Sequence, residues 1–191
     1  MPLSQTTPRT LAHTRQVTCQ AYEREDGLWD IEGHLVDTKP YNFPNQARGG
    51  FINAGEALHE MWVRLTVDKQ YTVHDAEAVT EWSPFNECPR VNEAYRRLVG
   101  LTIGPGWNRR VKELLGGARG CTHLTELLGP MATTAFQAIM SKSEGYTGDP
   151  DGKSTTKPAF IDSCHMLSVS GPLVKEKWPK FYEPADEGEA V

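Results

Sequence analysis

The feature that most constrains the fold of this chain is a change in the spacing of its apolar residues near the midpoint. Up to about residue 80, apolar and polar residues alternate as in half-buried β-strands, and from Pro89 onward apolar residues recur at helical spacing. The alternation runs through four segments, residues 13–22, 29–35, 61–67 and 71–80. The sequence therefore predicts an α+β fold, with a small antiparallel sheet in the N-terminal half packed by C-terminal helices.

Turn and helix signals set the expected boundaries of these elements. Asp26-Gly27 predicts a tight turn between the first two strands, because glycine tolerates the positive φ of such turns. Two prolines and three glycines make residues 39–55 a predicted long loop. Helices are expected from Pro89, over 108–115 and over 122–140, where Pro130 should kink the last helix or divide it.

The length of 191 residues fits a single domain with an extension at each end. We predict one α+β domain over residues 11–182, an N-terminal arm over 1–10 and a disordered tail over 183–191. A stretch rich in glycine, serine, threonine and lysine predicts a linker from residue 141 to residue 158.

Charge and composition exclude several classes of partner. The 20 basic and 25 acidic side chains are interspersed, so no basic stripe predicts nucleic acid as a partner. No apolar run approaches the roughly 20 residues of a membrane span. The N-terminus lacks the order of a secretory signal, which predicts a cytoplasmic protein with reduced thiols. Its four cysteines form no CxxC, so we expect no disulfide framework. Exposed sheet edges favour a homodimer as the oligomer to expect.

The string Gly120-Cys121-Thr122-His123 places two titratable side chains where a helix begins. Unpaired N–H groups and the helix dipole stabilise a thiolate there, so Cys121 is a candidate nucleophile or metal ligand. His123 is a candidate second ligand, or the base for the same thiol. The structural alternative is a small buried cysteine and an ordinary first-turn histidine, and an isolated pair of this kind is more often structural.

Two further residues lie at element ends, where side chains from distant segments converge. His59 precedes the third strand and Cys88 precedes the first helix. A mixed Cys/His set suits zinc or iron, so the predicted metal ligands are His59, Cys88, Cys121 and His123. The pair Cys164-His165 either completes this site or packs as a terminal segment.

Acidic and basic residues crowd the first hairpin. The acidic residues are Asp26, Asp30, Glu32 and Asp37, and the strands expected beside them contribute Arg15, Arg24 and Arg64. Cross-strand ion pairs are the expected interpretation, and an arginine pair that holds a substrate carboxylate is the alternative. His13 and His34 are expected to face solvent and are assigned no role.

Several strings of this chain resemble a bacterial family known as the domain of unknown function 2889. The resemblance extends over most of residues 13–180 and is carried by residues 26–33, 55–68, 98–128 and 162–167. Membership implies no established activity.

A more distant similarity is to the NifU/SufE-like iron–sulfur scaffold fold, through the order Asp75-Ala76, Cys88-Pro89 and Cys121. The first cysteine of that scaffold has no counterpart, and His59 is the nearest ligand. This departure favours a tightly held metal, or none, over a labile cluster.

Three hypotheses follow. The first is a metal-assisted hydrolase or lyase that acts on a small molecule, with aromatic and acidic compounds as candidates. Its predicted catalytic residues are Cys121 and His123, with Glu60 as general base and Arg64 as substrate anchor. The second is a non-catalytic metal or iron–sulfur accessory protein that uses the same ligands. The third is a metal-free enzyme in which His123 activates Cys121. Glu56 and Glu87 are alternatives to Glu60 as the base.

Overall fold

The computed structural model describes residues 3, 4, 6–142 and 146–185, and its strands lie in the first half of the chain. In chain order the strands are β1 (Thr14–Glu23), β2 (Trp29–Thr38), β3 (Phe43–Asn45), β4 (Gly50–Ile52), β5 (Ala57–Val67) and β6 (Val73–Trp82). A four-stranded antiparallel sheet has the order β1-β2-β5-β6, and β3 pairs with β4 in a separate small hairpin. The predicted antiparallel sheet is confirmed.

Alternation along β2 separates a core face from an open face. Trp29, Ile31 and Leu35 are buried, while the residues between them are partly exposed. The turn before β2 has Gly27 at φ 84°, the left-handed conformation that the Asp-Gly signal predicts. Because side chains on a strand point alternately to the two faces, this register decides which residues meet the helices.

The helices are α1 (Trp107–Leu115), α2 (Thr122–Met140) and α3 (Pro172–Lys177). The apolar stripe of α2 lies on the core face of the sheet, where Gly33 leaves room for it. A Cβ built on Gly33 would lie 2.6 Å from the sulfur of Met131 and 3.4 Å from the Cβ of Leu127. The predicted packing of C-terminal helices on the sheet is thus confirmed, with its closest approach at a glycine.

Two segments differ in detail from the expectation. The predicted loop over 39–55 contains β3, β4 and a short 3₁₀ helix (Gln46–Arg48), whose Arg48 N–H donates to the side chain of Asn45. The segment that begins near Pro89 is a 3₁₀ helix (Cys88–Leu98) in place of an α-helix. Pro130 does not divide α2, which is one continuous helix.

The contacts between residues separate two units, one up to residue 138 and one from residue 139. Within the second unit, Phe160, Ile161, Val174 and Trp178 are buried, and the rings of Phe160 and Trp178 meet edge to face at 5.1 Å. The single domain predicted over 11–182 stays a prediction. Parts of the predicted arm (residues 1, 2 and 5), linker (143–145) and tail (186–191) lie outside the described residues.

Among the residues that the structure describes, no helix combines the length and the apolar character that a bilayer span requires.

The close approach at Gly33 predicts opposite effects of two glycine substitutions. Gly33→Val should lower the free energy of unfolding by about 1–3 kcal/mol, because the new side chain displaces Met131 and Leu127. Gly129→Ala in α2 is the matched control, because its added Cβ meets no atom within 4 Å. It should raise stability by up to about 1 kcal/mol through helix propensity. Urea unfolding measures both, and a neutral Gly33→Val would contradict the close packing.

Candidate functional site

Asp37 is a charged residue on the apolar face of the sheet, with 1% of its surface exposed. It lies at the end of β2, directly opposite Arg15 of β1 and His59 of β5. The three residues therefore form one row across three strands, and all three side chains point to the core face. A buried carboxylate is tolerated only where hydrogen bonds and opposite charge compensate for lost water.

That compensation comes from three side chains. The Arg15 guanidinium donates from Nε to Oδ1 and from Nη2 to Oδ2 of Asp37, at 2.8 Å each. His13 Nε2 lies 3.1 Å from Oδ1, and His59 Nδ1 lies 3.0 Å from Oδ2. Burial acts to raise the pKa of Asp37, but the hydrogen bonds of Arg15 and His13 and the nearby positive charge outweigh it and lower that pKa to about 2. Asp37 is therefore ionised, and it accepts a hydrogen bond from an N–H of each facing imidazole.

His123, in the first turn of α2, completes this cluster from the helix side. Its ring stacks on that of His59, with centroids 3.8 Å apart and planes at 28°. His123 Nε2 lies 3.8 Å from Asp37 Oδ2. Burial lowers the pKa of both histidines, helped at His59 by the charge of His123 and at His123 by the charge of Arg15. Both rings are thereby biased toward the neutral form, which is the form that binds metals.

The donor atoms of Asp37, His59 and His123 are close enough together to hold one metal ion. One ligand atom from each residue lies within 4.8 Å of the other two. Ligands at about 2.1 Å from a metal are about 3.0 Å apart in adjacent octahedral positions and about 3.4 Å apart in tetrahedral ones. The separations from Asp37 Oδ2, 3.0 Å to His59 Nδ1 and 3.8 Å to His123 Nε2, bracket these values, and His59 Nδ1 would lose its hydrogen to bind an ion. Two imidazoles and one carboxylate suit zinc or iron and leave coordination positions open.

The net charge of the cluster also favours a cation. Arg15 bridges Asp37 and Glu126 of α2, with an ion pair to each. One guanidinium between two carboxylates leaves one negative charge when the three histidines of the cluster are neutral. Arg15 therefore positions both carboxylates without cancelling the attraction for a divalent ion.

The structure brings three of the four predicted ligands close together. His59 and His123 meet, and Cys121 lies next to them, with Sγ 3.8 Å from His123 Nδ1. Cys88 opens the 3₁₀ helix after β6 and is not a member of the group. Cys164 and His165 belong to the second unit.

The predicted catalytic residues Glu60 and Arg64 lie on the open face of the sheet, away from this cluster. Glu60 Oε1 is 3.0 Å from His34 Nε2, and the His34 ring stacks on Trp62 at 3.6 Å. Arg64 pairs with Glu77 and lines a recess of about 290 Å³ on that face. Strand alternation separates them from His59, since residues 60, 62 and 64 point opposite to residue 59.

The alternative bases are engaged elsewhere. The Glu56 carboxylate accepts hydrogen bonds from the backbone and side chain of Asn53. Glu87 pairs with Arg90 on the exposed surface.

Sequence reasoning missed the role of Asp37 and assigned none to His13. Cross-strand ion pairs are expected among the charged residues of this region without a specific pairing, and Arg15 pairs with Asp37. The sequence signal for the buried position of Asp37 was its place in the alternation of β2. Asp37 follows Ile31, Gly33 and Leu35 at every second position, so it falls on the face that must be apolar.

The family model described as a protein of unknown function (DUF2889) matches residues 13–137, nearly two thirds of the chain. All members of the cluster around Asp37 fall within the matched residues. No curated protein and no solved structure matches the chain. The more distant similarity to the NifU-like scaffold has no support from these comparisons.

Removal of the Asp37 charge should destabilise the protein much more than removal of its exposed counterpart. Asp37→Asn should cost about 3–5 kcal/mol, because it removes the buried charge that pairs with Arg15 and replaces one acceptor oxygen with an NH2 group. Glu126→Gln should cost at most about 1 kcal/mol, because its pair with Arg15 is exposed to solvent. Urea unfolding at pH 7.5 compares the two, and equal losses would refute a special role for Asp37.

The lowered pKa values of His59 and His123 predict a loss of stability toward acid. Below about pH 6.5 the unfolded chain binds protons that the native histidines resist, so the free energy of unfolding falls with pH by up to about 1.4 kcal/mol per unit for each histidine. Asp37 acts with the same sign in more acidic solution, as pH falls from about 4 through its native pKa of about 2. His59→Gln should flatten the slope between pH 7.5 and 5.

The measurement is urea unfolding at several pH values in the presence of a chelator. Because slopes are compared within each variant, a constant loss of stability in His59→Gln cancels. Parallel curves for the wild type and the variant would contradict the lowered pKa of His59.

Proposed function

The chain belongs to the DUF2889 family, and from that premise we propose that it is a metal-dependent protein whose ion is held by Asp37, His59 and His123. The favoured role is that of a hydrolase or lyase that acts on a small molecule, with zinc or iron as the metal. The observation that carries the proposal is the convergence of two imidazoles and one buried carboxylate from β2, β5 and α2.

A set of three protein ligands supports catalysis more than a purely structural role. Structural zinc sites are closed by four protein ligands, whereas catalytic sites keep a position for water or substrate. Two histidines with one carboxylate also form the ligand set of non-haem iron enzymes. When bound, the ion would polarise a substrate oxygen or lower the pKa of a water molecule.

The remaining side chains of the cluster have supporting roles in this proposal. Arg15 and His13 hold the Asp37 carboxylate, so its orientation is fixed before an ion arrives. Glu126 is held next to Asp37 by Arg15 and is the general-base candidate on this face, in place of Glu60. Arg64 takes no part, because it faces the other side of the sheet.

The alternative to an enzyme is a non-catalytic accessory protein, and within it an iron–sulfur scaffold has less support than a carrier of a single ion. Iron–sulfur clusters are held mainly by cysteine thiolates, and one thiol, that of Cys121, lies next to this group. A non-catalytic carrier of a single ion uses the same three ligands as the enzyme, and turnover of a substrate separates the two.

A metal-free thiol enzyme is the second candidate, and one arrangement favours it. Cys121 Sγ lies 3.8 Å from one ring nitrogen of His123, and Asp37 lies 3.8 Å from the other. Cysteine, histidine and carboxylate are thus in the order of a nucleophile, its base and the group that orients the base. The contact between Cys121 and His123 is within hydrogen-bond distance for sulfur, whereas the separation of His123 from Asp37 exceeds hydrogen-bond length and would have to shorten on substrate binding.

Metal binding by the purified protein tests the proposal. After treatment with a chelator, the wild type should take up about one Zn²⁺ or, without oxygen, one Fe²⁺ per chain. Loss of a ligand in His59→Gln or His123→Gln should weaken affinity by about 10–100-fold or more. Calorimetry and elemental analysis measure affinity and stoichiometry.

His34→Gln is the matched control, because His34 also faces a carboxylate, that of Glu60, on the opposite face of the sheet. This variant should bind metal as the wild type does. Equal weakening by all three substitutions would overturn the assigned ligands. A wild type that binds no ion, combined with alkylation of Cys121 that slows in His123→Gln, would favour the thiol mechanism instead.

A further inference from the structure

The second ring nitrogen of His123 faces a group of different chemistry. Cys121 Sγ lies 3.8 Å from His123 Nδ1 and 4.0 Å from the Met61 sulfur. Nε2 of the same ring faces Asp37, so one ring nitrogen of His123 lies near a carboxylate and the other lies near a thiol. A thiol, a thioether and an imidazole nitrogen form a soft donor set.

The fold fixes the elements that carry these donors. Met61 is on the core face of β5, two residues beyond His59, and is 1% exposed. Cys121 immediately precedes α2, and its backbone N–H donates to the hydroxyl of Tyr95 at 3.1 Å. That hydroxyl lies 2.9 Å from the Cys121 carbonyl oxygen, and Tyr95 is fully buried. The sulfur of Cys121 is therefore held beside Met61 by a backbone that is itself anchored.

Two donor separations, sulfur to sulfur and sulfur to nitrogen, match those around a three-coordinate ion. With metal–sulfur bonds of about 2.3 Å and a metal–nitrogen bond of about 2.0 Å, trigonal geometry places the sulfurs about 4.0 Å apart and sulfur and nitrogen about 3.7 Å apart. The separations in the protein are 4.0 and 3.8 Å. Adjacent octahedral positions would bring the two sulfurs to about 3.3 Å, which is much closer than observed.

We propose that Cys121, Met61 and His123 Nδ1 form a second metal site that binds Cu(I). Thiolate and thioether ligands select this ion, whereas magnesium and calcium prefer oxygen. On binding, the thiol of Cys121 loses its proton to solvent and its sulfur bonds to the ion, so the charge of the thiolate neutralises that of Cu(I). The copper enters as Cu(I), and no electron transfer is involved.

This site is distinct from the one proposed above, although both use His123. Met61 and Cys121 are not ligands of the Asp37 site, and His59 and Asp37 are not ligands of the copper site. His59→Gln should therefore weaken zinc or iron binding and leave Cu(I) binding intact. Met61→Leu should do the reverse, so failure of one proposal is distinguishable from failure of the other.

The test is an oxygen-free titration of the full chain with Cu(I) against a chromogenic chelator that competes for the ion. A Cys88→Ser/Cys164→Ser background removes two cysteines that lie outside the site and retains Cys121. In this background about one Cu(I) should bind per chain, and Met61→Leu should weaken binding about 10-fold or more. Leucine conserves the volume of methionine, so the core should tolerate the change.

Met131→Leu is the matched control, because Met131 is an equally buried methionine. Its affinity for Cu(I) should equal that of the background protein. X-ray absorption should show two sulfur neighbours at about 2.3 Å, and one in Met61→Leu. Equal affinities of Met61→Leu and Met131→Leu, or a single sulfur in the background protein, would overturn the site. Absence of Cu(I) uptake would overturn it as well.

Protection from alkylation is measured on the wild-type chain, so the result does not depend on whether a variant folds. Cu(I) should slow alkylation of Cys121 in the wild-type chain and leave that of Cys164, which is exposed, unchanged. Equal protection of both cysteines would indicate nonspecific binding to thiols and would contradict the proposal.

Discussion

The buried carboxylate of Asp37 is the constraint on which the arrangement of this fold depends. A charge on the apolar face of a sheet requires partners, and Asp37 obtains them from Arg15 on one neighbouring strand and His59 on the other. Arg15 extends the link to Glu126 of α2, and His123 adds another contact from the same helix. The polar network and the apolar stripe of α2 therefore select the same docking position on the sheet.

The same network favours the deprotonated form of its members, which is charged for Asp37 and neutral for a histidine. The hydrogen bonds and charge of Arg15 and His13 lower the pKa of Asp37, and burial lowers the pKa of His59 and of His123. An anion beside two neutral imidazoles is the combination that a divalent cation binds best. His123 has a further property, since its two ring nitrogens face oxygen and sulfur donors respectively.

Most of the sheet followed from local signals. The four strands, the Asp26-Gly27 turn and the α2 stripe arise from a period of two, a positive φ and a period near 3.6, all of which are visible in short windows. Short windows of sequence did not predict the 3₁₀ form of residues 88–98 or the hairpin of β3 with β4. Helical spacing does not separate 3₁₀ from α over a few turns, and short strands carry too few residues to show alternation.

The sequence by itself determined the α+β class, the faces of the strands and the presence of titratable residues at element ends, because each depends on neighbours within a few positions. It named His59, Cys121 and His123, which the structure brings close together, but also Cys88, Glu60 and Arg64, which it does not. Only the tertiary structure decided that Asp37 is the centre of the group. The pairing of β1, β2 and β5 places Arg15, Asp37 and His59 in one row, and that register joins residues more than 20 positions apart in the chain.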